Sequence, residues 1–489
     1  MAHENPHHAR RWLVLGVLGI AQLMVVLDAT IVNIALPSAQ KALSFTNDNR
    51  QWVVTAYALA FGSFLLLGGR ISDLFGRKWT FIGGLIGFAV ASAIGGASQS
   101  FGMLVVARAA QGLFGAILAP AALSLLTTTF TEPKERAKAF GIFGALAGSG
   151  AAVGLLLGGV LTEYLSWRWC LYVNLLFAGA AVVGALTVMH NVGTPERPRL
   201  DIPGTITASA GLFALVYGFS NANTSGWGDT LTLIMFAVFA VMFAAFITIQ
   251  RRVAHPLLPL HIVLHRDRGG SYLAVALSAI AIFAVFLFLT YYMQQNLGYS
   301  PITTGFAFLP MVVGIVISST TANIKLLPRT GARPLVPTGM ILGAIGMLYL
   351  TGLGPHSTYA GHVMPALILM GLGFGLIFAP SISTATLGVN GRDAGVASAM
   401  VNTSQQVGGS IGTALLSTLA ITATKDMLAG SARTPELMAK AAVHGYTTAF
   451  YVSASIFAVG AAVCGLLLQP KEKRAVTVGE TMGEPALAH

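Results

Sequence analysis

Charge is scarce in this sequence. Only 9% of its 489 residues are Asp, Glu, Lys or Arg, against about 25% in a typical soluble domain. Hydrophobic residues make up 55%, and the mean hydropathy is +0.74. A chain this poor in polar surface cannot cover a core in water, which excludes an ordinary soluble protein. Cysteine is scarcer still. Cys170 and Cys464 lie far apart, in or beside apolar runs, which excludes a disulfide framework and a thiolate metal site. There is no phosphate-binding loop, no cluster with metal-ligand spacing and no polar domain large enough for an active site, so nothing points to an enzyme, a metal or a bound cofactor. His255, His261 and His265 stand at uneven spacing beside arginines and read as loop residues rather than ligands.

Long apolar runs are what the sequence has in abundance. Taking about 20 apolar residues as one membrane-crossing helix, fourteen runs qualify. They cover 12–36, 51–71, 79–98, 102–126, 138–162, 170–190, 202–220, 230–250, 269–293, 303–325, 334–353, 362–385, 395–422 and 446–468. The first is too long for a removable signal peptide and has no convincing cleavage site. The 56 glycines suit helices that approach closely in lipid. The net charge of +11 could suggest nucleic acid, but the basic residues sit at intervals between the runs. With a cytoplasmic N-terminus and fourteen crossings, 21 of the 28 Lys and Arg residues fall inside. Six fall outside, and Arg108 lies within a span. The positive-inside rule then predicts fourteen spans with both termini cytoplasmic, in the cell membrane.

The chain also repeats itself. GAILAP at 115–120 returns as GLIFAP at 375–380, and SDLFGRK at 72–78 is echoed by LPRTGAR at 327–333. Two echoes in register predict a duplicated block of six spans. The expected organisation is an N-terminal bundle over 1–195, two additional spans over 196–255, a C-terminal bundle over 256–470 and a cytoplasmic tail over 471–489. Parallel six-span repeats are a transporter plan, with the substrate site between them near the midplane.

Against this apolar background a few polar residues stand out. Asp28, in LDATIVNIALP, is the acid deep inside a span. A helical rise puts it roughly 12 Å below the outer end of the first span, and Arg108 roughly 8 Å below that of the fourth. Those depths allow the two to pair. Such a pair either orients two helices or carries function, and ionisable groups inside a membrane are functional by default. In repeat register the same places hold Phe288 and Ile368, so the deep charges belong to the first half. In the thirteenth span Ser398, Asn402, Gln405, Gln406 and Gly409 fall at i, i+4, i+7, i+8 and i+11, one polar stripe on an apolar helix. Tyr291, Gln294 and Gln295 form a shorter stripe in the ninth span, and Asn33, Tyr57 and Gln111 add polar groups in the first half. Each is a candidate for lining a substrate cavity or for bonding one helix to another.

Several stretches resemble one family. GRISDLFGRK at 69–78 is similar to the signature loop of the major facilitator superfamily, matching at Gly69, Asp73, Gly76, Arg77 and Lys78. RAAQGLFGA at 108–116 looks like its fourth-helix motif. GSGAAVGLLLGG at 148–159 resembles its fifth-helix antiporter motif through Gly150, Gly154, Gly158 and Gly159, with Leu155 where proline is usual. LDATIVNIALP, SWRWCLYVN at 166–174, DIPG at 201–204 and LGYSPITTGFAFLP at 297–310 are similar to the fourteen-span drug:proton antiporters, the EmrB/QacA type. The resemblance implies an all-α integral membrane protein with the major facilitator fold, two six-helix bundles plus two extra central helices. It implies a proton-coupled exporter of amphipathic small molecules, with Asp28 and Arg108 in proton coupling, the 69–78 loop as cytoplasmic gate, the proton as coupling ion, and lipid as its surroundings rather than nucleic acid. The competing expectations are a facilitator or narrower metabolite transporter and, further off, a membrane receptor or scaffold, which would have no use for Asp28.

Overall fold

A computed structural model describes residues 10–45, 52–189, 201–254, 256–355, 357–389, 393–429 and 434–470. Residues 195, 196 and 255, at which the expected bundle boundaries fall, and the tail 471–489 lie outside the described residues, as do the side chains of Asn33 and Leu155.

Among the described residues every regular element is helical, as lipid requires: a backbone with no water to bond must satisfy itself within one segment. The long helices are α1 (Arg11–Leu43), α2 (Trp52–Phe75), α3 (Arg77–Gly96), α4 (Phe101–Thr129), α5 (Pro133–Tyr164), α6 (Trp169–Val188), α7 (Ile202–Ser225) and α8 (Thr230–Gln250). They continue with α9 (Arg266–Asn296), α10 (Ile302–Thr330), α11 (Ala332–Leu350), α12 (Tyr359–Ala385), α13 (Ala394–Leu428) and α14 (Pro435–Leu467). Counted over the described residues, thirteen are long and apolar enough to cross a membrane. The other, α5, opens on the charged turn Lys134, Glu135, Arg136 and Lys138, and from 139 to 161 its sequence carries no charge.

The ends follow local rules. Side-chain caps from Ser100, Asp201, Asp229, Ser300 and Thr434 accept from the first free backbone N–H groups of their helices. α13 and α14 extend well past the expected spans, because the polar turns around Lys425 and Glu436 continue the helix while carrying no hydropathy signal. The expected loop at 69–78 is almost entirely helix. α2 runs through Phe75, Gly76 alone breaks it with φ at +88°, and α3 begins at Arg77. Only glycine adopts that angle without strain. Its echo behaves the same way: Gly331, with φ at +76°, is the single break between α10 and α11. The other echo also recurs in place, with Pro120 inside α4 and Pro380 inside α12.

Helices α1 to α6 pack on one another, and so do α9 to α14. The two sets meet along two seams, α2 against α13 and α5 against α10 and α12. The hairpin α7–α8 lies over the first seam. Its α7 touches both α2 and α13, with Thr55 Oγ1 3.2 Å from Ser220 Oγ and the rings of Trp52 and Tyr217 5.9 Å apart. α8 turns nearly all its surface outward, an apolar face suited to hydrocarbon. Asp201 fixes the base of this hairpin. Its carboxylate accepts from Gly204 N and from Gln250 Nε2, each at 2.8 Å, while Gln250 Oε1 accepts from Leu258 N at 2.9 Å on the way into the last six helices.

Candidate functional site

Asp28 and Arg108 meet inside the first six helices. Arg108 Nη1 donates to Asp28 Oδ2 at 2.6 Å, and both side chains are completely buried. Such a pair is held only if its remaining bonding capacity is filled, and here most of it is. Arg108 Nε donates to the Val53 carbonyl at 3.2 Å, and Nη1 also reaches Gln111 Oε1 at 2.9 Å. The guanidinium lies 4.4 Å over the ring of Tyr57. Asp28 Oδ1 accepts from Gln111 Nε2 at 3.0 Å and from Asn174 Nδ2 at 2.7 Å. Ser92 Oγ closes the network, accepting from Gln111 Nε2 at 2.7 Å and Asn174 Nδ2 at 3.4 Å. Residues of five helices, α1, α2, α3, α4 and α6, therefore meet in one network around this pair.

Glycines make the convergence possible. A Cβ on Gly112 would strike the Tyr57 carbonyl, so α4 touches α2 beside Arg108 only because that position is bare. On α5, Gly150, Gly154 and Gly158 lie one helical turn apart against Val26, Thr30 and Ile31 of α1, on both sides of Asp28. A Cβ on Gly150 would come within 2.8 Å of Val26 Cγ1, and one on Gly158 within 2.9 Å of Ile31 Cγ1. Gly159 faces α10 instead, 3.1 Å from Ile302 Cγ1 in the same sense. The motif is thus three glycines for α1 and one for the opposite half.

The Gly76 end of the α2–α13 seam holds a second polar cluster. Asp73 is buried, 3.8 Å from Arg77 Nη2, and Arg77 Nε donates to Ser124 Oγ at 2.8 Å. The Asp73 carboxylate lies against the first turn of α13. A Cβ on Gly395 would come within 2.7 Å of both its oxygens, and the Gly395 backbone bonds to it. A carboxylate at a helix N-terminus is favoured by the unpaired N–H groups and the dipole there. Gly69 meets the Gly395 carbonyl one turn earlier, so α2 and α13 touch backbone to backbone. Lys78 points elsewhere, donating to the Met189 carbonyl at the end of α6 at 2.6 Å. A bridge not anticipated from sequence crosses between the halves here. Arg136 of α5 donates from Nη2 to Thr386 Oγ1 at the end of α12 (2.9 Å) and from Nη1 to the Thr127 carbonyl of α4 (3.3 Å).

Between the halves lies a cleft with about 500 Å³ of empty space. Its walls are mostly apolar (Leu123, Phe143, Ile282 and Phe378 among them), with Gln22, Asn402 and Gln405 as polar groups. Of the sequence-selected cavity residues, Asn402 and Gln405 line this cleft. Tyr57 and Gln111 belong instead to the Asp28 network. Ser398 is fully buried in the helix packing, and Gln406 Nε2 reaches across the seam to the Ala58 carbonyl at 3.4 Å. Tyr291 is exposed and Gln294 half-buried at the far end of α9, where neighbouring Gln295 Oε1 accepts from Tyr446 Oη at 3.3 Å. The side chain of Asn33 lies outside the described residues. Asn174, Ser92 and Gln22 were missed. Asn174 sat in the quoted SWRWCLYVN, but a lone amide or hydroxyl in an apolar run gives no sign of which neighbour it faces.

The profile of the Major Facilitator Superfamily matches residues 18–413. The chain is 48% identical to the puromycin resistance protein pur8 of Streptomyces alboniger over 479 residues, 98% of this chain and 95% of that protein. It is 38% identical over 404 residues to the cephamycin export protein CmcT of Amycolatopsis lactamdurans, covering 82% and 83% of the two chains. It is 33% identical over 413 residues to the tetracenomycin C resistance and export protein of Streptomyces glaucescens, covering 84% and 76%. In fold it is similar to the crystal structure of the human organic anion transporter MFSD10, with a TM-score of 0.63 at 16% identity over 94% of this chain and all of that one. The helical architecture, the two polar clusters and these relatives lead to one conclusion: the chain belongs to the major facilitator superfamily, among its drug exporters, and is a transporter rather than an enzyme.

Proposed function

We propose that this chain drives amphipathic small molecules out of the cell by proton antiport, alternating between inward- and outward-open states. The observation that carries the reading is the buried Asp28–Arg108 pair, shared with Gln111, Asn174 and Tyr57. A charge network of this kind is costly to bury and unnecessary for packing, and its energy changes when Asp28 gains a proton. Alternating access moves Asp28 between this dry, paired setting and a hydrated one. A proton gradient then biases which state is populated, because the proton binds the two states differently. The proton is the coupling ion, and no other cofactor takes part.

In this reading residues 1–195 and 256–470 rock as two bundles about the cleft, with the hairpin within 196–255 riding on the α2–α13 seam. Both termini and the tail 471–489 face the cytoplasm of the cell membrane, following the distribution of Lys and Arg. The Asp73–Gly395 contact is the cytoplasmic gate, and Gly150, Gly154 and Gly158 let α5 slide on α1. Substrate sits in the cleft against Asn402, Gln405 and its apolar walls. That lining carries no fixed charge, so neutral, weakly basic or monocationic amphipaths fit it.

The test is proton movement in proteoliposomes holding the purified full-length chain, screened across dyes, antibiotics and metabolites. Substrate-induced proton flux opposite to substrate flux is the expected result. Substrate movement without protons makes the chain a facilitator, and no movement of any compound leaves the receptor reading. Orientation is tested separately. A cysteine at Ser225 should label from outside and one at Ala254 only from inside.

A further inference from the structure

Every hydrogen bond formed at the Asp28 carboxylate in this structure is donated to it. Oδ2 takes Arg108 Nη1, and Oδ1 takes Gln111 Nε2 and Asn174 Nδ2. That set suits an anion. A carboxyl O–H at Oδ1 would point at two NH₂ groups, and one at Oδ2 would point at a guanidinium. A group that takes up a proton here needs an acceptor, and one of the two amides must turn to supply it.

The amides are not equally free to turn. Gln111 is held from both ends, with Oε1 accepting from Arg108 Nη1 at 2.9 Å and Nε2 also donating to Ser92 Oγ at 2.7 Å. Turning it would break both bonds and press an NH₂ group against the guanidinium. Asn174 is held from one end only. Its Nδ2 reaches Asp28 Oδ1 at 2.7 Å and Ser92 Oγ at a long 3.4 Å, while its Oδ1, fully buried, has no hydrogen-bond partner. A buried acceptor without a donor is unfavourable, and a half-turn of the amide carries that oxygen to Asp28.

We propose that Asn174 is a positioning residue for proton coupling, an amide that turns with the proton on Asp28. With Asp28 ionised, Nδ2 donates to Oδ1, as here. When hydronium from the open, hydrated state gives its proton to Oδ1, a single O–H bond forms and water leaves. The amide turns, and Asn174 Oδ1 accepts the new O–H. Release reverses each step. The inference rests on the reading of Asp28 as the proton-carrying group.

The titratable and charged neighbours of this switch are few. They are Arg108 from α4, the Tyr57 phenol from α2 under that guanidinium, and the Cys170 thiol of α6 itself, whose Sγ lies 3.3 Å from Thr162 Oγ1 of α5. From α3 the network receives Ser92, which does not titrate in this range. Asn174→Leu removes both the donor for the anion and the acceptor for the acid. The bond to the anion is the stronger of the two. The variant should therefore move the acid limb of gradient-driven transport toward higher pH by about one unit.

The experiment pairs that profile with infrared difference spectra of the full-length protein between acid and alkaline buffer. The carboxyl band that disappears in Asp28→Asn belongs to Asp28. In Asn174→Leu it should move to higher frequency, as the O–H loses its acceptor. Asn174→Ser, which offers a hydroxyl and cannot crowd the site, should give an intermediate frequency. Melting should fall only modestly in Asn174→Leu, since an unpartnered oxygen leaves along with the bond to Asp28 and the long one to Ser92. A band and a pH profile unchanged in both variants overturn the proposal while leaving Asp28 as the proton carrier. If Asp28→Asn removes no band, the proton reading fails and this inference falls with it.

Discussion

The first six helices and the last six use one backbone plan but bury different side chains at matching places. In both, the second and fourth helices cross at bare glycines. Gly112 meets the Tyr57 carbonyl where α4 crosses α2, and Gly371 meets the Met311 carbonyl where α12 crosses α10. Beside the first crossing sit Asp28, Arg108 and Gln111. The places in register with Asp28 and Arg108 hold Phe288, whose ring stacks 5.8 Å from Tyr446, and Ile368, which faces outward. The turn after the second helix differs in the same way. Gly76 and Gly331 make the same turn, but Asp73 precedes the first and Pro328 stands in its place before the second. Among the described residues the last six helices bury no charge at these matching places, and their buried carboxylate, Asp267, sits at the start of α9, where it accepts from Gln469 N at 2.8 Å. Replacing a buried ion pair by apolar residues often costs a fold nothing, so packing alone does not account for the Asp28–Arg108 pair.

Asp28→Asn is the sharpest way to break that contrast, since it removes the carboxylate and its proton while keeping the shape of the side chain and leaving Arg108 in place. The variant should fold and bind substrate, yet uphill, gradient-driven transport should fall to the level of passive leak in proteoliposomes. Transport equal to the parent would make the carboxylate structural.

Arg108→Ala should cost stability as well as coupling, because it strands a buried carboxylate. A loss of about 3–5 kcal/mol is expected. Ile368→Ala, at the register-equivalent place, should cost about 0.5 kcal/mol, as an outward-facing position does. Denaturation of the two variants in detergent measures the difference directly, and similar losses would erase the distinction between the halves.

A smaller effect is expected at the proposed gate. Asp73→Asn removes a charge from the N-terminus of α13, an interaction of about 1 kcal/mol, so closure at this end should weaken about fivefold. Accessibility of a cysteine introduced beside Gly395 should rise and turnover should slow, with expression unchanged. Unaltered accessibility and turnover would reduce the motif to a topology signal.

Asn402→Ala and Gln405→Ala should be mildest. Each removes one polar group from the cleft, so the ratio of transport rates between two substrates should shift a few-fold, the worth of about 1 kcal/mol for one hydrogen bond. Melting temperatures should hardly move. A fall in melting temperature with no change in preference would make these residues helix-bonding groups.

The helices and their order were legible in the sequence because lipid imposes a simple rule: a crossing segment must be long, apolar and internally bonded. The same rule singled out Asp28 and Arg108, since a charge inside such a run needs a partner, and few were at the right depth. Gly76 and its echo at Gly331 marked their turns through backbone sterics, and the spacing of Gly150, Gly154 and Gly158 marked a helix face. Tertiary structure alone decided what those features face. Hydropathy carries no information about rotation among fourteen helices, so the sequence could not send Gln111 and Tyr57 to the Asp28 network, Gln406 to the seam, or Asn402 and Gln405 to the cleft. Nor could it bring Asn174 and Ser92 to the same carboxylate. A polar atom declares its role only through the atoms it touches, and those contacts exist only once the helices have packed.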